Sequence, residues 1–73
     1  MKYLVVFEPT ATSVGAYVPD LPGCVAVGDD KDEAERLIRK AIAMHLAGMR
    51  EDGEAIPEPT ASADFIEVVT ELQ

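Results

Sequence analysis

The fifteen residues DLPGCVAVGDDKDEA, residues 20–34, decide the fold because they join a rigid turn, a short apolar run and a helix start. In the LPGC part, Pro22 fixes φ at the second position of a turn and Gly23 accepts a positive φ at the third. This pattern predicts a type II turn. Residues 24–27 (CVAV) then predict a short strand.

The acidic part of this stretch predicts the start of a helix. Asp30 is expected to accept a hydrogen bond from the amide of Glu33, and Glu33 to reach back to the amide of Asp30. Further acids nearby suit the positive end of the helix dipole. Apolar residues recur at helical spacing from Ala34 to Met49, and Gly53 is the expected stop.

The remaining segments predict strands on both sides of this helix. Residues 3–7 (YLVVF) are nearly continuous in β-formers and predict a central strand, and residues 14–18 predict its hairpin partner. After Pro57 and Pro59, residues 65–69 (FIEVV) predict a fourth strand. A right-handed crossover would place that strand beside the first. We therefore expect one α+β domain, residues 1–73, with two layers, the element order βββαβ, and one helix on one face of a four-stranded mixed sheet of order 3-2-1-4.

A single helix covers only one face of such a sheet, so the other face is expected to be apolar and unpartnered. A patch of this kind usually marks an interaction surface. We predict a homodimer or homotetramer. The residues expected to form the oligomer face are Tyr3, Val5, Phe7 and Phe65.

The charge of the chain excludes one class of partner. The net charge is -8, and no basic residue follows Arg50. Binding to a nucleic-acid backbone depends on clustered Lys and Arg, so direct contact with nucleic acid is not expected. The acidic surface serves either solubility or a basic protein partner, and the sequence leaves both open.

No residue pattern predicts a catalytic, cofactor or metal site. His45 is the single histidine and Cys24 the single cysteine, so a zinc site with several such ligands is excluded within one chain. We expect no enzymatic activity and no cofactor. No apolar stretch approaches the roughly 18 residues of a membrane helix, and no secretion signal begins the chain, which predicts a cytoplasmic protein without membrane contact.

Several motifs together resemble one protein family. The run VPDLPGC (residues 18–24) is followed by Gly28-Asp29, Glu33-Ala34, Ala41-Ile42, LAGM (46–49) and DGEAIPEP (52–59). This pattern resembles the HicB family of antitoxins over nearly the whole chain. The resemblance implies a partial RNase H-like fold and, as partner, HicA, a small basic toxin of double-stranded-RNA-binding fold that cleaves mRNA. It also implies inhibition of that toxin by blocking its access to RNA.

The sequence departs from the family pattern in two respects. Many members continue into an operator-binding segment, whereas this sequence stops at Gln73, directly after the predicted fourth strand; we expect no DNA-binding segment of its own. An active RNase H-type site needs a carboxylate in the first strand, and residues 3–7 contain none. Nuclease activity is therefore not expected.

The leading hypothesis is a module that neutralises a basic toxin. The expected contacts are the loop residues Asp20 and Leu21 and the C-terminal acids Glu54, Glu58, Asp64, Glu67 and Glu71. The same residues also fit a purely solvated or rigid role. The alternatives are a stand-alone homo-oligomeric HicB-like domain without a toxin, and an enzyme, for which no paired acid and base can be named.

Overall fold

The computed structural model describes residues 1–71 and contains a three-stranded sheet with one long helix. The elements are β1 (Val6–Pro9), β2 (Val14–Tyr17), β3 (Val25–Gly28) and α1 (Lys31–Glu51). Both strand pairs are antiparallel, and the sheet order is β1-β2-β3. The predicted α+β class is confirmed. Within residues 1–71, no helix has the length and apolarity that a membrane crossing requires.

The predicted turn between β2 and β3 is confirmed. The amide of Cys24 donates to the carbonyl of Leu21 at 3.0 Å, and Gly23 has a φ of +85°. A glycine at this position avoids the steric cost that a side chain would meet at positive φ. The turn places Leu21 in the core, where it is fully buried.

Both ends of α1 lie where the sequence predicts them. The Asp30 carboxylate accepts a hydrogen bond from the Glu33 amide at 2.8 Å, but the Glu33 carboxylate accepts from the amide of Asp29, one residue before the expected donor. At the other end, Gly53 has a φ of +73°, and the amide of Glu54 donates to the carbonyl of Met49 at 2.9 Å. This is the Schellman arrangement, which satisfies carbonyls that the last turn leaves unpaired.

The prediction of a four-stranded sheet of order 3-2-1-4 is wrong. Residues 65–69 form no strand, and their side chains are exposed, with Phe65 at 101% and Val69 at 89%. Ordering a residue costs roughly 1–2 kcal/mol of backbone entropy. A single helix offers cover for only one of the two side-chain rows of such a strand, so half of its apolar surface would stay in water.

The first strand also differs from its predicted position. It begins at Val6 rather than residue 3, and within residues 1–71 it has a neighbour on one side only, so it is an edge strand and not an interior one. Its pairing with β2 starts at Val6 and Tyr17. Beyond Tyr17, the continued register places Pro19 opposite residue 4, and Pro19 has no amide hydrogen to donate, so the ladder between β1 and β2 does not extend to residues 3–5.

The core is small and lies between α1 and the β2–β3 half of the sheet. Its six buried members are Ala16, Val18, Leu21, Cys24, Ala34 and Ile38. The helix packs chiefly on β3, less on β2 and least on β1. Gly28 permits this placement, because a Cβ there would lie 2.5 Å from the backbone nitrogen of Ala34.

Two glycine substitutions test this packing in opposite directions. Gly28→Ala forces β3 and the start of α1 apart, and we expect it to lower the free energy of unfolding by about 1–3 kcal/mol. Gly48→Ala is the matched control, because a Cβ at this helical position meets nothing within 4 Å. It should raise stability by about 0.5–1 kcal/mol. Urea denaturation followed by circular dichroism measures both, and equal effects would contradict the close packing at Gly28.

Candidate functional site

The sheet face opposite α1 is apolar and open to solvent. Side chains alternate along strands, and Ala16 and Ala26 face the helix, so their neighbours face away from it. Tyr17 is 38% exposed, Val25 62% and Val27 63%. We call the face formed by Val6, Tyr17, Val25 and Val27, with Glu8 at its margin, the open face. The expectation that one helix leaves an apolar face uncovered is confirmed.

These open-face residues differ from the four that sequence reasoning selected for oligomer contacts. Tyr3, Val5 and Phe7 pack against the core on the helix side of the sheet, whereas Phe65 lies fully exposed in the C-terminal segment. The signal for the open face was present in residues 25–27, where two valines flank a smaller alanine. The larger side chains point away from the helix, because Ala26 fills the space beneath α1.

Asp20 holds the C-terminal segment against the body of the domain. Its carboxylate accepts hydrogen bonds from the amide of Thr60 at 2.9 Å, the hydroxyl of Thr60 at 2.8 Å and the amide of Ala61 at 3.0 Å. The hydroxyl of Tyr3 adds a fourth bond, donated to the carbonyl of Pro57 at 2.5 Å. We call this set of contacts the Asp20 clasp. It gives Asp20 an internal structural role.

Hydrogen bonds in the clasp favour the ionised form of Asp20. The pKa of its carboxyl group is lowered from the ordinary value of 3.8, chiefly by the Ala61 amide, and also by the hydroxyl and amide of Thr60. The carboxylate is therefore charged throughout the neutral range. Leu21, the neighbouring predicted contact, has no exposed surface, so its side chain serves the core.

The other predicted contacts are acidic and lie in the C-terminal segment. We call residues 54–71 the C-terminal arm; its acids are Glu54, Glu58, Asp64, Glu67 and Glu71, and all five are exposed. The salt bridges found within residues 1–71 both lie inside α1, joining Arg36 to Glu33 and Arg39 to Glu35. The arm therefore presents carboxylates that no base of the described chain neutralises.

Within residues 1–71, neither the buried cysteine nor the side chains that could bind a metal ion form a reactive cluster. Cys24 is buried, and burial raises the pKa of its thiol from the ordinary value of 9.0, which keeps it protonated at neutral pH. Among residues 1–71, no three His, Cys, Asp or Glu side chains lie close enough to hold a metal ion together. The site is thus a set of surfaces suited to binding another molecule.

Comparison with protein families identifies the domain. Residues 3–70 match the family model described as HicB_like antitoxin of bacterial toxin-antitoxin system. The chain belongs to this HicB-like antitoxin family. The resemblance carried by the VPDLPGC and DGEAIPEP motifs is therefore confirmed.

Two relatives share the sequence over most of this HicB-like chain. One is Antitoxin HicB 2 of Photorhabdus laumondii, 32% identical over 69 residues, which cover 93% of this chain and 50% of that protein. The other is a 14.9 kDa protein from the rep-hol intergenic region of Haemophilus phage HP1, 35% identical over 66 residues, which cover 90% of this chain and 50% of that protein. The chain spans about half the length of these relatives.

A solved structure shares the fold of this HicB-like chain. The match is to a chain of a structure described as the HicA3 and HicB3 toxin-antitoxin complex. The TM-score is 0.69 at 23% identity, and the match covers 82% of this chain and 70% of the other. At this identity the likeness establishes the fold alone.

The Asp20 clasp predicts a specific response to acid. Because the folded pKa of Asp20 lies below 3.8, the stabilisation from the clasp is fully present above that pH and is lost as the pH falls through the folded value. We expect the amide NMR shifts of Thr60 and Ala61 to be constant from pH 7 to 5. Below pH 3.8 they should move towards those of an unstructured chain.

The substitution Asp20→Asn should release the same amides at pH 7, because its carboxamide has one acceptor oxygen for three donors. Asp29→Asn is the control, since Asp29 takes part in the helix start through its backbone amide. Unchanged Thr60 and Ala61 shifts in the Asp20 variant would show that the clasp is not what holds the arm.

Proposed function

We propose that this protein is an antitoxin that binds a small basic HicA-type toxin and prevents it from cleaving mRNA. The observation that carries the proposal is the match of residues 3–70 to the HicB-like antitoxin family, together with a binding surface of suitable chemistry. One structural neighbour is described as a HicA–HicB complex, which is consistent with a partner of that kind. A partner that acts on mRNA also favours a cytoplasmic location.

The open face supplies the apolar centre of the proposed interface. Protein interfaces place apolar and aromatic residues at the centre and polar residues around them. Val6, Tyr17 and Val25 form one row across the three strands, and the adjacent row ends at Val27. Gly15 lies between Glu8 and Val27 in that second row. The smooth surface left by this glycine suits close approach by a partner.

The acids of the C-terminal arm supply the charge that draws a basic toxin. Five exposed carboxylates in a segment without Lys or Arg create a negative field beside the domain. Such a field increases the rate of encounter with a positively charged protein. The proposed contacts are Glu54, Glu58, Asp64, Glu67 and Glu71, whereas Asp20 acts by holding the arm and Leu21 by filling the core. The absence of enzymatic activity stays a prediction.

A pair of variants tests the open face. Val25→Asp places a carboxylate on the open face, beside Tyr17, and should weaken binding of the toxin about tenfold or more. Met44→Asp is the control, because Met44 is 73% exposed on α1 and the change adds the same charge. Isothermal titration with a HicA-type toxin measures both. Equal affinities would exclude the open face.

The arm is tested by two double variants that remove the same number of negative charges from different places. Glu67→Gln with Glu71→Gln should slow association about tenfold at low ionic strength, and the difference should shrink in high salt. Asp32→Asn with Glu51→Gln removes the same charge from α1 and should leave the rate nearly unchanged. If both double variants slow association equally, net charge alone attracts the partner.

A second candidate function is a stand-alone homodimer or homotetramer without a toxin. The apolar open face favours it, because a second copy would cover that face equally well. Co-expression separates the two candidates. A neighbouring small protein that is toxic alone and harmless in a stable complex with this chain supports the antitoxin. A neighbour that neither harms the cell nor binds would leave the self-associating domain.

A further inference from the structure

A groove runs between β1 and α1 on the helix side of the sheet. It has a volume of about 530 Å³ and is lined on the strand side by Tyr3, Val5 and Phe7 and on the helix side by Ile38 and Ile42. The groove exists because α1 packs chiefly on β3 and β2 and only lightly on β1. Its long wall is the edge of the sheet.

The sheet edge beside this groove is unpaired within residues 1–71. β1 bonds to β2 on one side, so its outward amide and carbonyl groups have no strand partner in the described chain. An edge of this kind is a template for an added strand. A strand added there would place one row of side chains in the groove and the other row on the open face.

The chain itself contains a segment with the properties of such a strand. Residues 65–69 (FIEVV) are rich in β-formers, and Ile66 and Val68 are 76% and 71% exposed. In an extended conformation, Ile66 and Val68 form a fully apolar row and Glu67 lies in the other row, which suits a strand covered on the side of the apolar row. The molecule is 58 Å long, whereas a 21-residue helix spans about 32 Å, so the C-terminal arm extends well past the body.

We propose that residues 65–69 of one copy add to β1 of a second copy, and that the exchange is reciprocal. This strand exchange rests on the proposal above that copies of this protein associate, and it specifies which segments of the two copies meet. Reciprocal exchange uses the same contact twice and closes under twofold symmetry, which limits the assembly to a dimer. A five-residue strand covers about 17 Å, which matches the length of β1 and its flanking residues.

The side-chain pattern determines which row enters the groove. Ile66 and Val68 form an uncharged row and fill the space between β1 and Ile38. Phe65, Glu67 and Val69 form the other row, whose carboxylate needs water, so this row continues the open face. Glu67 therefore stays accessible to a basic partner, and the exchange is compatible with the proposed toxin contact.

Charge favours a second copy as the occupant. Lys2 and Arg39 line the groove beside one carboxylate, that of Glu35. In the incoming segment, Asp64 lies in the same row as Ile66 and Val68 and therefore faces the groove, and no base occurs between residues 51 and 71. The described structure records no ion pair for Lys2. An acidic strand entering this groove brings opposite charges together.

Sedimentation velocity on the full chain tests the exchange. The wild-type protein should be a dimer at about 50 µM. Val68→Pro removes the amide in the middle of the added strand and should raise the dimer dissociation constant about tenfold or more. Val68→Thr keeps that amide and the branched shape, so it should remain dimeric. Val68 lies outside the core, and unchanged helical circular dichroism confirms that both variants fold.

An NMR sample with equal amounts of isotope-labelled and unlabelled protein identifies the contact. Isotope-filtered contacts between residues 65–69 of one copy and residues 3–7 of the other are expected. A monomer, a Val68→Pro variant that dimerises as well as the wild type, or filtered contacts confined to the open face would each overturn the exchange. A dimeric Val68→Pro variant, or contacts confined to the open face, would still show that the protein associates with itself. None of the three results bears on toxin binding.

Discussion

The close approach of Gly28 to the backbone of Ala34 determines where the helix lies on the sheet. A side chain at position 28 would collide with the first turn of α1, so this glycine lets the helix start directly above the end of β3. The caps at Asp30 and Gly53 then fix the length of the helix. Because a helix is about 10 Å wide and covers roughly two strands, β1 is left at the uncovered side. The groove and the open edge both follow from this offset.

The turn and both helix ends were predictable from the sequence because each is determined by a few neighbouring residues. Pro22 and Gly23 restrict φ so strongly that few conformations besides the type II turn remain, and the helix ends obey the same kind of rule. The fourth strand was not predictable in this way. Residues 65–69 have the composition of a strand, but a strand forms only when a partner edge and cover on both faces are available. Composition does not reveal whether the same chain supplies them.

The sequence predicted the kinds of side chain at the candidate site better than it predicted their positions. The acidic arm is exposed as the charge distribution indicated, whereas Asp20 is engaged by Thr60 and Ala61, forty residues later in the chain. A contact between distant segments leaves no mark in the local pattern around either one. An uncovered apolar face was expected, but its residues were not identified for a related reason: whether Val25 or Ala26 faces the helix depends on the register with β2.

The small size of the domain links its stability to its partners. A chain of this length buries only about 60% of the surface that its unfolded form exposes, and six residues form the buried core. The apolar residues that do not fit beneath one offset helix are left at the groove, on the open face and in the arm. Each of these regions gains stability only when another polypeptide covers it, so binding and folding draw on the same apolar surface. A domain built in this way would gain stability through association, which is the physical basis for the binding function proposed above.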